Sequence, residues 1–169
     1  LPLTKQRLDF NIGYIHGHDA SGLLGSQTGA ELRSNEPDEW DEGQFDAGYR
    51  FGGPNALAVN SLSFNYRERE YANNHSRTDV LDFSSRAVGY ELAYAYTRKT
   101  SVVFNVAQRA INYDLRPAGV NRDGDEVSAL VGLRWVATGK TTGNINVGAR
   151  SYAVDSRARP AKQTLTWKL

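Results

Sequence analysis

Hydrophobic and polar residues alternate one by one along most of this chain, and the alternation is clearest over residues 88–109. Val88, Tyr90, Leu92, Tyr94 and Tyr96 share one parity, while Gly89, Glu91, Ala93 and Ala95 share the other. After Thr97-Arg98-Lys99-Thr100, Val102, Phe104 and Val106 restart the apolar set against Ser101, Asn105, Ala107 and Arg109. A period of two is what a β-strand imposes on its faces, so the two arms predict an antiparallel hairpin. One of its faces is apolar and aromatic, and the other is small or charged.

The same unit recurs on both sides. Residues 7–16 set Leu8, Phe10, Ile12 and Tyr14 against Arg7, Asp9, Asn11 and Gly13, and residues 43–51 set Phe45, Ala47, Tyr49 and Phe51 against Gln44, Asp46, Gly48 and Arg50. Residues 58–67 oppose Leu62, Phe64 and Tyr66 to Ser61, Ser63, Asn65 and Arg67; Leu57 and Val59 have the wrong parity, which predicts a bulge or a later strand start. Residues 126–136 align Val127, Ala129, Val131, Leu133 and Trp135 against Ser128, Gly132 and Arg134, with Leu130 interrupting the polar set. Residues 144–152 and 164–169 complete the series, with Ile145, Val147, Ala149, Leu165, Trp167 and Leu169 opposite Asn146, Gly148, Arg150, Thr166 and Lys168. Eight strands and no substantial helix are therefore expected.

The connections alternate as strictly as the residues. Long polar segments follow the odd strands: residues 17–41, 68–82, 114–125 with Pro117, Gly119 and Gly124, and a last one through Pro160. Short turns follow the even strands: Gly52-Gly53-Pro54-Asn55, Thr97 to Thr100, and Thr138-Gly139-Lys140-Thr141. Gly and Asn accept positive φ and Pro fixes its own, which suits tight turns. Short turns on one side and long loops on the other are the habit of outer-membrane barrels, with the turns periplasmic. The predicted fold is all-β: an antiparallel up-and-down transmembrane β-barrel, residues 1–169 forming one such domain or a contiguous part of one.

Alternation alone fits a soluble ligand-binding barrel equally well, with the apolar face turned inward. Large aromatics favour the membrane arrangement. Tyr49, Phe51, Tyr94, Tyr96, Trp135 and Trp167 fall toward the short turns and Tyr14, Phe64 and Tyr66 toward the long loops, where rings at headgroup depth form girdles. The opposite parity carries mid-strand charge, which a hydrated lumen tolerates. Asp9, Asn11, Asp46, Arg50, Arg67, Glu91, Asn105, Arg109, Arg134, Asn146 and Arg150 are the expected lumen-lining residues. Arginines outnumber acids among them: they either form a basic channel wall attractive to polyanions or pair with acids and fill a small barrel.

Composition changes this picture little. Mean hydropathy of −0.55 and 40% hydrophobic residues would suit a soluble domain, yet a membrane strand keeps half its residues polar. The net charge of +1 gives no argument for nucleic acid. With no cysteine, neither disulfides nor thiolate metal sites are possible. The chain opens on Leu1 without a signal sequence, which reads as a mature or partial chain.

Three phrases carry a family likeness: Gly48-Tyr49-Arg50-Phe51-Gly52-Gly53; Tyr71-Ala72-Asn73-Asn74 followed by Thr78 and Asp79; and Gly132-Leu133-Arg134-Trp135-Val136-Ala137-Thr138-Gly139-Lys140-Thr141-Thr142. Over nearly its whole length the chain resembles the β-barrel porin family of outer-membrane proteins encoded with exopolysaccharide biosynthesis and export systems. The resemblance implies a bacterial outer-membrane location in a Gram-negative envelope and a passive, non-catalytic pore or scaffold for exopolysaccharide transport. It also implies contact with membrane lipid, an anionic polysaccharide and periplasmic export components. Family members are larger barrels with about twice this strand count. A non-conducting structural or adhesion barrel acting through its extracellular loops is the alternative.

Few residues suggest other chemistry. His16 and His18 share a strand face at i, i+2 spacing, beside Asp19, where a metal site or a solvated loop entrance are both conceivable. Ser84 and Ser85 have no evident base unless His75 approaches across the loop, so no enzyme activity is expected. The acidic run Glu36, Asp38, Glu39, Asp41 and Glu42 lacks calcium-loop spacing and reads as a solvated loop. No catalytic residue, metal or cofactor is assigned.

Overall fold

The computed structural model describes residues 5–19, 36–53, 56–115, 121–138, 141–154 and 162–168. Pro54, Asn55, Gly139, Lys140, Pro117, Gly119, Pro160, Leu169 and most of the first long connection lie outside the described residues, as do the side chains of Arg77, Ala137, Thr138, Lys162 and Lys168.

Eight antiparallel strands form one sheet in chain order. They are β1 Gln6–Asp19, β2 Asp38–Phe51, β3 Ala58–Tyr71, β4 Phe83–Ala95, β5 Thr100–Tyr113, β6 Gly124–Thr138, β7 Thr141–Val154 and β8 Lys162–Lys168. The sheet is open: no ladder joins β1 to β8 among the described residues. The only helical turns described are α1 His75–Thr78 and a 3₁₀ turn at Asp79–Leu81. Gly52 closes the first short turn at φ +121, where an added Cβ would meet the Ala58 carbonyl oxygen at 2.7 Å.

Several strands run further toward the long loops than their alternation suggests. The acidic run is not a loop from Asp38 onward, because Asp38, Glu39, Asp41 and Glu42 pair within β2. Glu68, Arg69, Glu70 and Tyr71 likewise belong to β3, where Arg67, Arg69 and Glu42 compensate one another's charge. The irregularity expected near Leu57 and Val59 is absent from a continuous β3–β4 register, since Val59 faces Ala93 and packs over Gly52. A register shift occurs instead between Val136 and Thr138.

The strands are stepped. Leu8, Tyr49, Leu62, Tyr90, Val106, Ala129, Ala149 and Leu165 face one another in a single row across all eight strands. Counted from that row, the loop-side end lies 11 residues away on β1 (Asp19) and β2 (Asp38), and 9 on β3 (Tyr71). It lies 7 away on β4 (Phe83) and β5 (Tyr113), 5 on β6 (Gly124) and β7 (Val154), and 3 on β8 (Lys162). A step of about one residue (~3.3 Å) per strand spacing (~4.8 Å) inclines the strands by roughly 35–40° to the line of their ends.

Candidate functional site: two unlike sheet faces

Burial is inverted relative to a soluble sheet. On one face Leu8, Phe10, Ile12 (80% exposed), Leu62, Phe64, Val88, Phe104, Val131, Leu133, Val147 and Trp167 (68%) are all exposed. The opposite face holds the shielded strand residues: Glu42 (3% exposed), Tyr71, Ser85, Val103 (2%), Ser128 and Asn146, with Ala110 the exception on the apolar side. The polar face is therefore the shielded one, and the apolar face the open one.

The apolar residues form a band that follows the step. Its last members toward the loops are Tyr14, Phe45, Tyr66, Val88, Val106, Val127, Ala149 and Leu165, one per strand. The next residues on that face are His16, Gly43, Glu68, Arg86, Gln108, Asp125, Ser151 and Gln163. In row terms this boundary falls from Tyr14, six residues above Leu8, to Leu165 in the same row as Leu8. The band is therefore level when the strands are inclined, with a height of about 20–25 Å. Tyr14 and Tyr66 mark its loop side, and Tyr49, Phe51, Tyr94, Tyr96 and Trp135 its turn side. Phe64 lies one pair below Tyr66 in the loop-side part of the band, beside Phe45, with ring centroids 6.1 Å apart. Trp167 rises to the loop-side half, because β8 sits at the foot of the step and pairs Trp167 with Val147.

Asp9, Asn11, Asp46, Arg50, Arg67, Glu91, Asn105, Arg109, Arg134, Asn146 and Arg150 all lie on the polar face. Most are engaged with other residues of that face. Asp46 accepts from the side-chain amides of Asn11 (3.2 Å), Gln44 (2.8 Å) and Asn65 (2.5 Å). Glu42 pairs with Arg69 at 2.7 Å and Arg67 at 3.3 Å, Glu91 with Arg134 at 3.0 Å, Glu126 with Arg150 at 3.4 Å, and Asp9 with Arg7 at 2.8 Å. Sequence reading missed Glu42, Arg69 and Glu126 as members of this face; continuing the parity of their strands would have found them.

Above the band's level the polar face carries an aromatic collar that also went unread. Arg69 stacks over Trp40 at 3.9 Å and approaches Phe83 at 5.9 Å, Phe83 adjoins Tyr113 at 6.0 Å, and Arg122 covers Tyr113 at 4.2 Å. Two aspartates tie the loops to this collar. The Tyr71 N–H donates to Asp82 and the Tyr113 N–H to Asp123, both at 2.8 Å. Burial is the main cause holding the Asp82 carboxyl above its ordinary value. The Asn73-Asn74 phrase is a loop buttress: Asn73 accepts from the Glu39 N–H and donates to the Pro37 carbonyl, Asn74 donates to Asp38, and buried Thr78 donates to the Asn73 carbonyl.

The histidines His16 and His75 are each held by a carboxylate. His16 Nδ1 lies 2.9 Å from Asp41, which also accepts from the Tyr14 hydroxyl, and His75 is held by Asp79 at 2.6 Å. No cluster of metal-ligating side chains occurs among the described residues. No helix among them is long and apolar enough to cross a membrane, which says nothing of strands. Compared with known proteins, the chain matches no family model, no curated protein and no solved structure.

Proposed function

We propose that this sheet is the transmembrane wall of a β-barrel, its apolar band in lipid and its polar face toward a lumen. The level band on the exposed face carries the reading. About 20–25 Å of apolar surface on strands inclined near 35–40° matches the ~25 Å belt and the tilt of membrane barrels. A soluble sheet would have to cover that surface, and none of the described residues does so. Tyr and Trp at the two edges, with Phe10, Phe64 and Phe104 between, is the distribution that headgroup and hydrocarbon layers select.

Within that class, the barrel is a passive, non-enzymatic conduit of the outer membrane that assists export of an exopolysaccharide. The sequence resemblance supplies the polymer class, and the hydrogen-bonding polar face is compatible with sliding a hydrated chain. A non-conducting scaffold is the second reading, favoured by the rim, where Asp38 and Thr78 are buried in a hydrogen-bonded loop platform suited to presenting a partner surface.

Because the chain has no cysteine, single-cysteine labelling is clean. In lipid vesicles a fluorophore on F104C should be quenched by lipid-borne nitroxide, and one on the adjacent N105C by aqueous iodide. Reversed quenching, or a stable monomer without detergent, overturns the membrane reading. Stepwise conductance in planar bilayers supports the conduit, and its absence favours the scaffold.

A further inference from the structure

The arginines of the polar face are not equivalent, and their pairing singles out two of them. Three groups each combine two arginines with one carboxylate: Arg67 and Arg69 with Glu42, Arg109 and Arg150 with Glu126, and Arg7 and Arg50 with Asp9. In the first, Glu42 engages both arginines. In the second, Arg109 faces Glu126 in the β5–β6 register, but the carboxylate is turned to Arg150 at 3.4 Å. In the third, Arg50 faces Arg7 across the β1–β2 ladder, while Arg7 takes Asp9 through Nε and Nη2, both at 2.8 Å. Arg50 and Arg109 are exposed, and neither has a carboxylate within 4.0 Å among the described residues. Arg134, by contrast, donates to both oxygens of Glu91.

We infer that Arg50 and Arg109 form two separate binding positions for the carboxylates of an acidic polysaccharide on the polar face. This rests on the reading of that face as a lumen. An arginine already holding a carboxylate would have to exchange one anion for another, with little net gain; a free guanidinium, with a fork of donors, gains a charge-assisted pair outright. Arg109 lies near the loop side and Arg50 near the turn side, separated by on the order of 20 Å along and across the strands. A single sugar acid can occupy one position at a time. A chain of several uronic acid residues can touch both, and the second contact then forms at high effective concentration. Between them Gly48, Ser63, Gly89 and Ala107 form a row of small uncharged residues across β2 to β5, a shallow path whose β1 end is Asp9, already held by Arg7, and whose flanking carboxylates Asp46 and Glu91 are engaged by side-chain amides and by Arg134.

The test uses the full chain folded in micelles, with oligogalacturonate about ten residues long as the probe and neutral dextran as the control. Calorimetry should detect oligogalacturonate and not dextran. R109Q and R50Q should each weaken binding about fivefold, and the double variant should lose it. R109K and R50K should restore most of it. R134Q removes the same unit of charge from a paired site, so it should change binding less than twofold. Undetectable wild-type binding, or equal losses in R134Q and R109Q, overturns the inference. Specific binding without any conductance would instead remove the conduit reading and leave the two positions standing. Conductance with binding unaffected by the double variant would do the reverse.

Discussion

Single residues at the rim do structural work that no local pattern announces. Asp82 and Asp123 each stand immediately before a strand and accept the N–H of the tyrosine ending the previous strand, so one device closes two successive long loops. For Asp82 the charge itself is a cost. Burial raises its pKa, nearby Asp79 and Asp114 add to the rise, and the Tyr71 N–H opposes it. A carboxyl whose folded pKa exceeds its unfolded value binds its proton more tightly when folded, so its stabilising contribution is complete below the unfolded value. It is lost as pH rises through the interval up to the folded pKa. D82N keeps an oxygen for the Tyr71 N–H without the charge. Its urea midpoint in micelles should equal or exceed the wild type at pH 7, and the two should converge in acid. D82A strands the N–H and should cost about 1–2 kcal/mol at either pH. A midpoint for D82N as low as that of D82A would show that the charge, rather than the acceptor, is what matters.

At the scale of the element, the alternation revealed every strand yet cut β2 and β3 short. The period-two signal survives only where one face meets an apolar surrounding. Beyond the band both faces are polar, so Asp38 to Glu42 and Glu68 to Glu70 look like solvated loop although they pair in register. Trp40, Phe83 and Tyr113 were unreadable for the same reason: their partners come from other strands. Cross-strand glycines show this dependence most directly. Gly17 faces Trp40 and Gly143 faces Trp135, and in both pairs an added Cβ would come within 2.5 Å of the indole. The ring lies over the glycine and covers backbone that would otherwise be bare. G17V or G143V should displace the ring and cost about 1–3 kcal/mol in micellar urea titrations, with a shifted tryptophan emission spectrum. If G143V were neutral while W135A was costly, the indole would be packing elsewhere.

At the scale of the whole molecule, the register step decides what the faces mean, and no individual strand contains it. Parity and register agree that the polar candidates share one face of the sheet, but the height of Trp167 shifted once eight strands were aligned. Depth is therefore the quantity to test. Val131 and Val147 lie near the middle of the inclined band, Val127 is its last apolar residue on β6 before Asp125, and Asn105 occupies the polar face. If the band is in hydrocarbon, V131R and V147R should each cost about 2–4 kcal/mol, and V127R only about 0–1. N105R, in contact with water, should change stability little. Reversible urea titration in vesicles measures all four on one scale. A sheet lying against another protein would penalise arginine by packing, without regard to height, so equal costs at Val131 and Val127 would remove the bilayer from the explanation. A graded cost that tracks the step from strand to strand can come only from a surrounding medium with a level boundary.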